Sequence, residues 1–124
     1  MKQVFCLITI AISLCLSGCR EAGTYKTIDE KEFSELAGKE NSVILDVRTP
    51  GEYKEGHLEN ALLMDYKNEN FENELTKLDP TKTYLVYCKA GGRSAKASSL
   101  LSQKGFNTYN LDGGISNWKG KVVR

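Results

Sequence analysis

The sequence predicts an α/β protein built on a mainly parallel sheet, and three observations predict it. Strand-like apolar runs alternate with helix-like runs along nearly the whole chain. Two of the runs, 42–47 and 83–87, are continuously apolar rather than alternating, as in strands covered on both faces. Both are followed by a helix-start pattern, Thr49-Pro50-Gly51-Glu52 in one case and the glycine-bearing stretch before Ser94 in the other.

Taken in order, Tyr25 to Ile28 reads as a first strand and Asp29 to Ala37 as a helix. Asp29 is the expected N-cap, Glu32 completes a capping box, and Ile28 with Phe33 sits at hydrophobic-staple positions. Gly38 is the expected stop. Ser42 to Val47 is the second strand. Thr49 then caps a short helix with Pro50 in its first turn and Glu52 at the third position. Ala61 to Met64 is a short strand, and Phe71 to Leu78 a helix closed by Asp79-Pro80. Thr83 to Tyr87 is the fourth strand, Ser94 to Lys104 a helix ending at Gly105, and Phe106 to Leu111 the fifth strand. A short terminal helix is expected around Trp118. The expected sheet thus has about five strands flanked by helices.

Cys88 stands where the fourth strand ends, a glycine-rich turn begins and a helix starts. Backbone N–H groups of such a turn, together with the positive end of the helix, converge on one point and favour a thiolate there. Gly91 and Gly92 give the turn freedom to aim those groups inward, and Lys89 and Arg93 add positive charge. A thiolate so placed is a nucleophile. Cys88 is the expected catalytic residue, with Lys89, Ala90, Gly91, Gly92, Arg93 and Ser94 as the surrounding substrate-binding loop. Asp46 and Arg48, at the end of another strand, read as a supporting ion pair. No Cys/His ligand cluster is present, and neither a metal nor an organic cofactor is expected.

Residues 1–18 read as a targeting segment: Lys2 is basic, and Val4 to Leu16 is almost entirely apolar. A helix from Val4 to Gly18 spans about 22 Å at 1.5 Å per residue, short of the roughly 30 Å hydrocarbon core. Leu16-Ser17-Gly18-Cys19 resembles a bacterial lipobox, which implies removal of 1–18 and lipidation of Cys19. The expected layout is a signal at 1–18, a lipidated tether at 19–24, one domain at 25–120 and a tail at 121–124, anchored in the bacterial envelope. The 17 Lys and Arg face 16 Asp and Glu in the full chain, and loss of Lys2 balances them. That balance gives no reason to expect nucleic acid as a partner. Cys6 and Cys15 leave with the signal, so Cys88 would remain as the free thiol, with none to pair with.

Four motifs together resemble a single-domain rhodanese. They are Asp46-Val47-Arg48 with Glu52 and Tyr53, Gly56-His57-Leu58 with Ala61, the loop from Cys88 to Arg93, and Leu111-Asp112-Gly113-Gly114 with Trp118. Glu59-Asn60 departs from the proline-glycine turn common in the family. The resemblance implies a thiosulfate sulfurtransferase, moving sulfane sulfur from thiosulfate or a persulfide donor through a Cys88 persulfide to cyanide or a thiol. An envelope thiol-reducing protein would be the cellular partner, and Arg93 would bind the donor's oxygens. A sulfur carrier or docking module is one alternative. A phosphatase or arsenate reductase is another, although four rather than five residues separate Cys88 from Arg93. The family turn motif accounts for His57 without catalysis.

Overall fold

The structure, a computed structural model, describes residues 24–124. The expected leader at 1–18, its expected cleavage site and Cys19 lie outside the described residues. Twelve elements follow one another: β1 (Lys26–Ile28), α1 (Glu30–Ala37), β2 (Ser42–Asp46), α2 (Pro50–Glu55), β3 (His57–Leu58), β4 (Leu62–Leu63), α3 (Phe71–Leu75), β5 (Thr83–Tyr87), α4 (Gly92–Gln103), β6 (Asn107–Leu111), a 3-10 turn (Ile115–Asn117) and β7 (Val122–Val123). Five strands form a parallel sheet in the order β1-β6-β5-β2-β4, with β5 at the centre. Parallel neighbours require crossovers, which the helices supply.

Continuous apolarity in β5 has the predicted cause, burial on both faces. Tyr84, Val86 and Cys88 face one core with Leu75, Ala97 and Leu101. Leu85 and Tyr87, pointing the other way, join a second core with Ile28, Phe33 and Leu58. The last inward residue of the first set is Cys88, so the sheet itself aims the thiol toward the side covered by α4.

Helix starts follow the predicted chemistry. The Asp29 side chain accepts the Glu32 N–H at 2.9 Å, and Thr49 accepts the Glu52 N–H at 3.4 Å. Helix ends do not. Gly38 keeps a right-handed conformation, and the last turn of α1 is instead held by the Ser42 hydroxyl, which donates to the Leu36 carbonyl at 2.6 Å. Three elements differ from expectation in length or place. The third helix stops at Leu75, α4 begins two residues early at Gly92, and the turn before Trp118 is 3-10. A small antiparallel pair, β3 with β7, is added beside the main sheet. Val122–Val123 thus forms a strand in the segment read as a tail.

Candidate active site

The loop from Cys88 to Arg93 links the central strand to α4 at the carboxyl ends of the parallel strands, where α/β proteins place their ligands. Gly91 has φ +113°, a conformation that a side chain would strain. It turns the chain so that its own N–H points back to the Cys88 Sγ at 3.0 Å. Gly92 needs no such freedom, being the first residue of α4; only one of the two loop glycines is required for its backbone angles. Ser94 Oγ lies 3.3 Å from Sγ and 3.2 Å from the Gly91 carbonyl oxygen. With a neutral thiol, the S–H donates to Ser94 and the hydroxyl donates to Gly91. With a thiolate, the hydroxyl turns to donate to sulfur.

Burial pushes the Cys88 thiol up. Hydrogen bonds from the Ser94 hydroxyl and from the N–H groups of Ser94, Gly91 and Ala90 outweigh that effect, leaving it below its ordinary value. Cys88 itself is only 1% exposed, so a thiolate there is favoured by aimed donors rather than by water.

Arg93 is turned away from the role of free anion receptor. Its two terminal nitrogens reach the two Glu52 oxygens at 2.7 and 3.0 Å, a two-pronged pair. Glu52 was expected as a helix-start residue and as a member of the Asp46-Val47-Arg48 motif, and nothing in its local sequence reveals a partner 41 positions away. Lys89 is exposed.

Asp46 and Arg48 are brought together and buried. The Arg48 Nη2 is 2.7 Å from Asp46 Oδ2, with side-chain exposures of 6% and 0%. Arg48 also donates to the Gly56 carbonyl at 2.7 Å, and the Tyr87 hydroxyl donates to Asp46 at 2.6 Å. The Leu58 N–H in turn donates to the Tyr87 oxygen at 3.0 Å. This network fixes the ends of β2, β3 and β5 beside the loop. His57 stacks on Tyr53 with ring centroids 3.6 Å apart, and its Nδ1 lies 2.8 Å from the Tyr53 carbonyl oxygen; its ring serves packing.

The C-terminal signature packs behind the loop. The Ile115 N–H donates to the Cys88 carbonyl at 2.9 Å, and the Ser116 N–H to the Lys89 carbonyl at 3.0 Å. The motif itself is visible in the sequence, but its contact with the loop is not.

The rhodanese-like domain family matches residues 29–121. The chain belongs to the rhodanese-like family. A rhodanese-related protein from Thermoplasma volcanium has the same fold, with a TM-score of 0.72 and 31% identity over 80% of this chain and 98% of that one. Among curated relatives, a tRNA uridine(34) hydroxylase from Pelagibacter ubique is 39% identical over 99 residues, covering 78% of this chain and 33% of that protein. One of the same name from Chlamydia felis is 37% identical over 113 residues, covering 78% and 35%. The chain therefore spans about a third of the length of the curated relatives it matches.

These relatives correct the sulfur-transfer expectation. Proteins 36–39% identical to this chain over most of its length are named for modification of a tRNA uridine, not for transfer of sulfur from thiosulfate. The expected partners, thiosulfate with cyanide or a thiol, and the exclusion of nucleic acid are corrected with it. Charge balance counts the chain as a whole and says nothing about what a single loop could recognise. The expectation of an enzyme is supported by the same relatives.

Proposed function

We propose that the chain is a cysteine-dependent enzyme that modifies uridine in tRNA, with the Cys88 thiolate as its nucleophile. The observation that carries the reading is the Gly91 N–H aimed at Sγ from 3.0 Å, in a loop whose other donors favour the same charge. The substrate class comes from the names of the relatives, which share this part of their chain with the present protein.

The chemistry suits a thiolate. The C6 carbon of a uracil ring is electron-poor through conjugation with the C4 carbonyl, and a thiolate adds to such a carbon. Addition makes the neighbouring C5 electron-rich, and C5 attacks one oxygen of a peroxide co-substrate: the C5–O bond forms, the O–O bond breaks, and the other oxygen leaves as water or an alcohol. Loss of the C5 proton and expulsion of the thiolate then restore the ring with one oxygen added. A sulfur as buried as Cys88 is reached by a single nucleotide turned out of its stack rather than by a stacked duplex.

The test is expression of the full chain in cells lacking their own tRNA uridine hydroxylase, followed by mass analysis of tRNA nucleosides. Uridine carrying one extra oxygen is expected with the wild type and not with Cys88→Ser. Absence of the product with both proteins overturns the substrate assignment, and equal product from both overturns the role of Cys88.

A further inference from the structure

We infer that Gly114 and the N–H groups of Ile115 and Ser116 are positioning elements for Cys88, acting as a backbone clamp that fixes which way the peptide planes of the catalytic loop face. The inference rests on the reading of Cys88 as a reactive thiolate and assigns the part that holds it ready.

A trans peptide unit carries its C=O and its N–H on opposite sides. The Cys88 carbonyl is held from behind by Ile115, and the Lys89 carbonyl by Ser116, at 2.9 and 3.0 Å. Fixing these two oxygens on the rear face turns the N–H groups of Lys89 and Ala90, members of the same two peptide units, toward the front. The Ala90 N–H is one of the donors that favour the thiolate. The clamp thus sets the direction of a donor it never touches.

Gly114 makes the close approach possible. A Cβ at this position would lie 2.5 Å from both the Cys88 and the Lys89 carbonyl oxygens, and its φ of +59° is in the left-handed region. No flexible side chain is available to yield; the clash is with the backbone of the loop itself. The clamp is in turn anchored on the other side. Glu30 accepts the Gly120 N–H at 3.1 Å, Trp118 packs edge-on to Phe33 with centroids 5.8 Å apart, and the Asp112 N–H donates to the Ile28 carbonyl at 2.8 Å. The first turn of α1 is therefore connected through the C-terminal segment to the rear of the catalytic loop.

The test is the pH dependence of Cys88 alkylation in the full chain, read on the peptide that carries Cys88 so that the other cysteines do not interfere. Gly114→Ala should push the loop forward and raise the alkylation midpoint by about one pH unit, the scale of part of one charge-assisted hydrogen bond. Ile115→Pro replaces the N–H that reaches the Cys88 carbonyl with a ring carbon that crowds that oxygen away, at the first position of a helical turn where proline is tolerated. It should raise the midpoint in the same direction even if Gly114→Ala does not fold, while Ile115→Val, which keeps the N–H, should match the wild type. Folding is followed by far-ultraviolet circular dichroism. A folded Ile115→Pro with the wild-type midpoint overturns the clamp and leaves the thiolate reading intact. A wild-type midpoint at the free-thiol value of about 8.5 overturns the thiolate reading itself.

Discussion

Glu52 holds Arg93 with both carboxylate oxygens, at 2.7 and 3.0 Å, and so ties the first turn of α2 to the first turn of α4. A pair that joins two helix starts restrains the loop at Arg93, its last residue.

The pair predicts a pH-dependent stability. The Arg93 guanidinium beside Glu52 holds its carboxyl at about 2, against about 4.3 in an unfolded chain. A carboxylate lowered on folding stabilises above its unfolded value and loses that contribution as pH falls through the folded one. Glu52→Gln should therefore cost about 1 kcal/mol at neutral pH, after allowance for the partial exposure of both side chains. The two proteins should converge below about pH 2. Urea unfolding at several pH values checks this; a difference that does not shrink in acid would count against the pair as its source.

Arg48 should be far less replaceable than its distance from sulfur chemistry suggests. Arg48→Leu leaves the buried Asp46 carboxylate without its cation, and breaking such a pair costs about 3–5 kcal/mol. Tyr87→Phe removes the hydroxyl that donates to Asp46 and accepts the Leu58 N–H, and should cost about 2 kcal/mol. Denaturant midpoints measured side by side give the ranking. The reverse order would show that the tyrosine, not the arginine, neutralises this corner of the fold.

Location is a separate proposal with a bearing on substrate. The apolar run ending at Cys19 predicts a lipid-modified, membrane-bound protein from which residues 1–18 have been removed. Cys19→Ala should abolish acylation, which intact mass and fractionation read directly. Protein recovered in the soluble fraction with residues 1–18 attached contradicts the leader. Protein found wholly outside the cytoplasmic membrane would be separated from tRNA and would count against uridine as substrate.

Much of the fold was legible because it depends on local signals. Apolar runs, capping residues and the glycine turn named the strand and helix starts, and Thr83 to Tyr87 matched its expected bounds. Elements defined by distant contacts were not legible. The strand His57–Leu58 exists only because Val122–Val123 pairs with it, and two-residue strands carry no periodicity. In the site, Cys88, Gly91 and Ser94 could be placed because one loop contains them. Glu52 could not be paired with Arg93, nor Ile115 with the Cys88 carbonyl, since tertiary packing alone brings them together. The activity expected from the motifs was misread for a related reason. The loop motif speaks to the surroundings of one sulfur, while a substrate depends on surfaces the motifs do not describe.

Whether the loop keeps Cys88 as a thiolate is measured most directly by the ultraviolet absorbance of that thiolate as pH is raised. The difference between the full-length wild type and Cys88→Ser cancels the tyrosines and the other cysteines and isolates one ionisation. The account predicts a step clearly below the free-thiol value of about 8.5, because the N–H groups of Gly91 and Ala90 and the Ser94 hydroxyl outweigh burial. A step at or above that value would mean that burial wins, and Cys88 would then be a core residue rather than the nucleophile.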